Sequence, residues 1–242
     1  MGKYIHKFAT VSEYNQAKAA VPVSDPWVSY LEPYGLLTYS SAVNIQEAAN
    51  GHEYVDLGLP SGTLWATCNV GASVPAGVGD YFAWGETSTK SNYAWSTYAH
   101  GSSETNLTKY NASDGRTVLD LEDDVVNFTM GGAWRMPTLE DFDELKNNTT
   151  MTMASSGRTF TGSNGNSITI ISYNRYQGNS TTGSTGYLWL STLSDSNPKF
   201  ACCVCIPSNS TSCYRTGLVR YYGMNVRGVL SPSRRWHNPL LL

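Results

Sequence analysis

The sharpest patterning in the chain begins at Glu53. Tyr54 to Leu57 predicts a strand, Pro60-Ser61-Gly62 a turn, and Thr63 to Asn69 a second strand. An aromatic run closed by glycine follows, Gly79-Asp80-Tyr81-Phe82-Ala83-Trp84-Gly85-Glu86. Ser88 to Ser113 is polar and aromatic and predicts a long surface loop, and the acidic stretch Leu119 to Val126 predicts a short helical turn. Within Gly131 to Asn148, Thr138 takes an N-cap position with Asp141 three residues on. Phe142 and Leu145 then supply one apolar stripe, which predicts a helix. Arg135 and Met136 precede Pro137 and are expected to be extended. Asn164-Gly165-Asn166 is a hairpin signal before the apolar strand Ile168 to Ile171.

The Gly- and Ser-rich piece from Gly178 leads into a longer stretch, Gly186 to Val229, with regular ends. Gly186-Tyr187 and Trp189 stand on one side, Arg220-Tyr221-Tyr222-Gly223 and Asn225-Val226-Arg227 on the other. Its middle follows neither a strand nor a helix period. A framed segment with unpatterned contents is expected to carry side chains chosen for contact rather than for packing.

The two ends of the chain read as additions to this body. Thr10-Val11-Ser12-Glu13 has capping-box spacing and predicts a short helix through Ala20. Pro22, Pro26 and Pro33 then punctuate an extended segment with Trp27, Tyr30 and Tyr34 as aromatic anchors. Residues 1–50 are too few to hold a core alone and are expected to attach to the main domain, a sister subunit or a larger particle. Residues 51–231 form the main domain, with the contact region at about 186–229, and residues 232–242 form a tail.

Composition narrows the function. Charged residues make up 14% of 242, and the net charge is −3. With no basic cluster the chain lacks the cations that a nucleic-acid groove needs. No apolar run approaches the ~18 residues of a membrane span, so membrane insertion is not expected. The N-terminus lacks the apolar core of a secretory signal, which implies synthesis in a cytoplasm. Five cysteines is an odd count, so a simple disulfide framework is not expected. Cys202, Cys203, Cys205 and Cys213 have no histidine or second pair to complete a zinc pattern. His6, His52, His100 and His237 are scattered outside any base or ligand motif. Asp120, Glu122, Asp123 and Asp124 read as a solvated turn. Catalytic residues, cofactors and metals are therefore not expected.

Glu53-Tyr-Val-Asp-Leu-Gly-Leu-Pro-Ser-Gly-Thr-x-Trp-Ala-Thr-x-Asn-Val-Gly, Gly79-Asp-Tyr-Phe-Ala-Trp-Gly-Glu, Trp134-Arg-Met-Pro-Thr and Arg220-Tyr-Tyr-Gly-x-x-Val-Arg occur in that order. Together they resemble the Fibrobacter succinogenes major paralogous domain family, common in gut Bacteroidetes and their phages, over residues 51–231. Arg135-Met-Pro-Thr and Val226-Arg227 are also similar to the formylglycine-generating-enzyme version of the C-type lectin fold. The resemblance implies an α+β domain of that fold, with twisted antiparallel strands, few helices and much ordered loop. C-type lectin calcium loops pair proline with a carboxylate or amide, whereas Asn197-Pro198-Lys199 places a cation there.

The N-terminal MGKYIHKFATVSEYN and DPWVSYLEP resemble the leader of phage-encoded members, which are often targets of diversity-generating retroelements. Such an element substitutes only adenines. An AAC or AAT codon treated so yields residues such as Asn, Ser, Thr, Tyr, Cys, Gly, Arg or Val, and never Glu, Gln, Met, Trp or Lys. Every residue from Ser194 to Val219 except Lys199 belongs to the reachable set. The resemblance thus implies a ligand-binding set of Ser194, Ser196, Lys199, Phe200, Cys203, Cys205, Pro207, Asn209, Ser210, Ser212, Tyr214, Thr216, Leu218 and Val219. Val204 and Ile206 alternate with these and should face the core. Trp189, Arg220 and Arg227 are expected to belong to the frame, and Arg135 to pair internally.

The expected function is recognition of a host cell-surface protein or glycan. The protein would be a phage tail-fibre or receptor-binding adhesin, carried on the virion after cytoplasmic synthesis. Residues 1–50 would join it to the virion or to sister chains, and a homotrimer would add avidity. A bacterial surface or pilus-associated adhesin is the alternative, and an enzyme of the formylglycine-generating type a third class.

Overall fold

Three short strands and the turn residues 49–51 make up the described part of the N-terminal unit, residues 1–51: β1 (Ile5–Phe8), β2 (Val28–Leu31) and β3 (Leu36–Tyr39). β1 runs parallel to β2, and β2 antiparallel to β3. The computed structural model describes residues 5–8, 28–31 and 36–39 as backbone, and residues 49–154, 157–183, 185–208, 210 and 212–231. The expected helix through Ala20, the tail 232–242 and the candidate Asn209 lie outside the described residues.

The second unit, residues 52–242, begins with β4 (Tyr54–Asp56) and β5 (Leu64–Asn69), the two strands expected there. Next come a 3-10 turn at Trp95–Thr97, the small hairpin β6 (Gly101–Ser103) and β7 (Asn106–Leu107), and a second 3-10 turn at Leu121–Asp123. Helix α1 (Val125–Met130), β8 (Trp134–Arg135) and helix α2 (Leu139–Asn148) follow. The remaining strands are β9 (Thr149–Ala154), β10 (Gly157–Gly162), β11 (Ser167–Ile171), β12 (Arg175–Gln177), β13 (Ser180–Thr182), β14 (Gly186–Leu193), β15 (Phe200–Ile206), β16 (Tyr214–Val219) and β17 (Arg227–Leu230). In this unit the pairings between named strands are antiparallel, and the helices are few and short.

The central four-stranded sheet has the order β4-β5-β17-β8, so the last strand of the domain lies between elements from its beginning and middle. Arg227 fastens that strand. Its Nε donates to Asn69 Oδ1 at 2.8 Å, and its terminal nitrogens donate to the carbonyls of Ala66, Thr67 and Thr169. Burial lowers its pKa to about 10, and the neighbouring Cys68 opposes that shift. Burying a cation without a carboxylate is costly unless hydrogen bonds offset the lost water, and here Asn69 and carbonyls from β5 and β11 supply them.

Two further sheets, β11-β10-β9 and β14-β15-β16, share one core with α2. Trp65, Phe142, Leu145, Phe160, Ile170, Leu188, Val204 and Val229 meet there, all buried. Truncating one such ring or branched chain to alanine costs about 2–5 kcal/mol. α2 starts as expected. Asp141 N donates to Thr138 Oγ1 at 3.3 Å and Thr138 N to Asp141 Oδ2 at 2.7 Å, a reciprocal cap that satisfies two free amides. Arg135 completes the corner with both terminal nitrogens on the Asp141 carboxylate and one also on Met136 O, which is internal pairing.

Three local expectations are corrected. Ser88 to Ser113 is not all surface, because Tyr93, Tyr98 and Tyr110 within it are buried. Their hydroxyls find partners: Tyr93 donates to Tyr81 O, Tyr98 to Trp84 O and Tyr110 to Asp123. Gly223 makes room for Tyr93, since a Cβ there would lie 2.7 Å from its ring. In the acidic run, Asp124 is buried rather than solvated. It caps α1 through the amides of Val126 and Asn127 and also accepts from Met136 N. The unpatterned middle of Gly186 to Val229 is three strands of one meander, β14-β15-β16. Its central strand is covered on both faces, which removes the alternation that marks a half-buried strand.

Candidate binding face

Register sorts the meander into two faces. Leu188, Leu190, Val204 and Ile206 point into the shared core, with Cys202 packed against it; Val204 and Ile206 therefore lie where their alternation placed them. On the opposite face the cross-strand rows are Tyr187–Cys205–Tyr214, Trp189–Cys203–Thr216 and Leu193–Ala201–Leu218. Tyr214 is 50% exposed, and Tyr187, Thr216 and Leu218 are half-buried. These side chains stand on rigid strands backed by core, which holds a contact surface in place.

The fourteen residues expected to meet ligand do not all lie on that face. Cys203 and Cys205 point toward it but are 0% and 3% exposed. They are small side chains on the middle strand, flanked in register by Trp189 and Tyr187, and are floor rather than contact. Phe200 and Val219 pair with each other and share the strand parity of Cys202, so both belong to the core-side face. Ser194, Ser196 and Lys199 occupy the β14–β15 turn, where the two serine hydroxyls lie 2.9 Å apart and Lys199 reaches Glu104 at 2.7 Å. Pro207, Ser210 and Ser212 occupy the β15–β16 turn at the other end of the meander. A seven-residue strand separates the two turns by about 20 Å. Hence the turns are two rims, joined by the row of β16 side chains.

Sequence reasoning missed several supports of this face. Arg158, buried, donates to the carbonyls of Gly157, Pro207 and Ser210 and so anchors the β15–β16 turn from β10. Arg175 and Thr182, paired across β12 and β13, lie beside the Tyr187 end. The cluster Tyr173-Asn174-Arg175-Tyr176 was the available signal, an arginine set among tyrosines in a short polar strand. The frame assignments stand: Trp189, Arg220 and Arg227 are all fully buried. The Trp189 indole donates to Phe82 O and Tyr222 O, and Arg220 donates to the carbonyls of Lys109 and Tyr110. Arg220 also lies 5.5 and 5.4 Å from the ring centres of Trp84 and Tyr98.

All five cysteines are free thiols. Burial pushes the Cys203 thiol well up, and raises Cys202 and Cys213 as well. A thiol raised in this way supplies little thiolate at neutral pH. Elsewhere, Asp120, Glu122 and Asp123 bring carboxylate oxygens within 4.8 Å of one another. Lys109 Nζ stands 2.8, 2.7 and 2.6 Å from them, where a metal ion would otherwise bind. No helix among the described residues is long and apolar enough to cross a membrane. Comparison with protein-family models, with curated proteins and with solved structures found no match to this chain.

Proposed function

We propose that this chain is a receptor-binding protein with a C-type lectin-like domain of the Fibrobacter succinogenes major paralogous domain family. In this reading it is a phage tail-fibre adhesin whose binding face is diversified by a retroelement. The N-terminal unit attaches it to the virion or to sister chains, and a trimeric fibre adds avidity to weak single contacts. The ligand is a host cell-surface molecule.

The observation that carries the reading is the outer face of the meander. Tyr214, Thr216 and Leu218 present a ring, a hydroxyl and an apolar side chain from one edge strand whose neighbours are packed against the core. Tyrosine gives a large rigid contact at low entropy cost, and serine and threonine give adaptable hydrogen bonds. The contact set narrows to Tyr214, Thr216 and Leu218, with rims of Ser194, Ser196, Lys199, Pro207, Ser210 and Ser212.

Deep sequencing of the gene across a population carrying it tests this directly. Adenine-derived substitutions should concentrate at those positions other than Lys199, which such a codon does not yield, and spare Trp189, Val204, Ile206, Arg220 and Arg227. Uniform conservation across codons 186–229 would remove the diversified surface.

A further inference from the structure

Arg175 is held in an unusual way for a cation of this domain. Its guanidinium carbon lies 5.2 Å from the ring centre of Tyr187 and 5.0 Å from that of Tyr222, so the charge rests between two π faces. Among the described residues its guanidinium makes no hydrogen bond or ion pair. Its Nε is buried without a partner, and so is Thr182 Oγ1, directly across the β12–β13 pair. Arg158 and Arg220 also leave Nε unbonded, but carbonyls take their terminal nitrogens. Arg135 has its carboxylate in Asp141. Arg175 has neither. Buried polar groups left unmatched are rare enough in folded proteins to ask for an explanation.

The position of this cation supplies one. Tyr187 heads the row Tyr187–Cys205–Tyr214, so Arg175 sits at one end of the binding face and the exposed ring of Tyr214 at the other. Two strand spacings separate the ends of that row, about 10 Å. The planar guanidinium fork matches a carboxylate, and the stacked rings keep it oriented before ligand arrives. The backbone of β12 is already taken on both sides, by β13 and by Gly223, which exchanges two hydrogen bonds with Tyr176. β12 therefore offers no edge to an extended peptide, and the edge that remains on this face is that of β16, about 10 Å away beside Tyr214. Rings and hydroxyls remain, among them the Tyr187 and Tyr222 rings beside the guanidinium and the exposed Ser180 and Thr181 of β13.

We propose that Arg175 is a carboxylate-reading residue and that the ligand of this face is an acidic saccharide. The sugar acid places its carboxylate on the guanidinium, and the neighbouring sugar lies toward Tyr214. Arg175 lies before the stretch assigned to diversification, so it would supply a constant contact while the strands beside it vary. The assignment rests on the binding-face reading.

Titration of the full 15N-labelled chain, followed at the Arg175 Nε–Hε resonance, tests it with three probes: methyl β-D-glucuronide, methyl β-D-glucoside and N-acetyl-aspartate amide. The glucuronide should give a saturable shift in the millimolar range, weakened by added salt. The glucoside should give none, and the peptide mimic should bind at least ~10-fold more weakly than the glucuronide, the margin that sugar contacts add to the charge. Arg175→Lys should lose about 10-fold, since an ammonium lacks the fork, and Arg175→Gln should abolish the response followed at neighbouring amides. An equal response to glucoside overturns the carboxylate role, and an equal or stronger response to the peptide mimic overturns the saccharide. Silence toward all three to about 50 mM leaves Arg175 a structural pin and overturns the proposal. Because wild-type protein carries the main comparison, a variant that fails to fold does not spoil it. Codon variation at Tyr214 and Thr216 without a glucuronide response would refute this assignment alone. A glucuronide response with invariant codons would refute diversification alone.

Discussion

Cys203 and Thr216 are direct cross-strand neighbours on the same face, yet one is fully buried and the other half-exposed. Placing tyrosine at each in turn therefore separates a floor position from a contact position. Cys203→Tyr forces a ring into a site with no exposed surface, between Trp189 and Thr216. Overpacking of a closed site costs typically 1–3 kcal/mol and occasionally more, and so large an addition belongs at the upper end, about 3 kcal/mol. Cys203→Ala removes one sulfur and, by analogy with deleting one methyl group, costs about 1 kcal/mol. Thr216→Tyr adds its ring toward solvent and should stay within about 0.5 kcal/mol. For a domain of this size 1 kcal/mol moves Tm by about 2–4 °C. Calorimetry should thus show losses of about 6–12 °C for Cys203→Tyr, about 2–4 °C for Cys203→Ala and no more than about 2 °C for Thr216→Tyr. Equal, small losses for the two tyrosine variants would refute the division of this face into floor and contact.

Two more predictions follow from the same geometry. Burial raises the pKa of Asp141, but Arg135 and Thr138 outweigh it and hold the carboxyl below its ordinary 3.8. A depressed folded pKa contributes stability above the unfolded value that is lost as pH falls through the folded one. In urea titrations Asp141→Asn should therefore be weaker than wild type by about 1–3 kcal/mol at neutral pH, with the gap closing below pH 3.8; a constant gap would disprove the linkage. Thiol labelling of the native protein should reach Cys68 and Cys202, which are half-buried, and spare Cys203, Cys205 and Cys213, with all five reacting in denaturant. Labelling of a third thiol at a comparable native rate would contradict the burial of the floor.

The sequence showed most where one local rule decided the outcome. The cap at Thr138 and Asp141, the Pro-Ser-Gly turn after Tyr54–Asp56 and the Asn164-Gly165-Asn166 hairpin depend on neighbours a few residues apart. The meander was hidden because β15 is packed on both sides, so its polar and apolar positions do not alternate with burial. A cysteine serves on either face of such a strand, so nothing in the sequence marks Cys203 and Cys205 as the buried positions they are. The buried tyrosines near Trp84 were hidden by composition: a tyrosine among serines looks solvated until its hydroxyl finds a carbonyl. Arg175 was legible as an arginine among tyrosines, but its missing partner is visible only once the strands are paired.

β17 lies in the middle of the central sheet, and its Arg227 bonds to Asn69, 158 positions earlier in the chain. Contacts of such long range form late, after the entropy of closing the loop has been met. The ribosome must therefore release the whole β14-β15-β16 meander before the central sheet can shut. A chain that stops early within that segment lacks the central strand, leaving β4-β5 and β8 unjoined. Folding thus proofreads the message: any variant that completes its core has been translated through the meander and kept its reading frame to the end of β17.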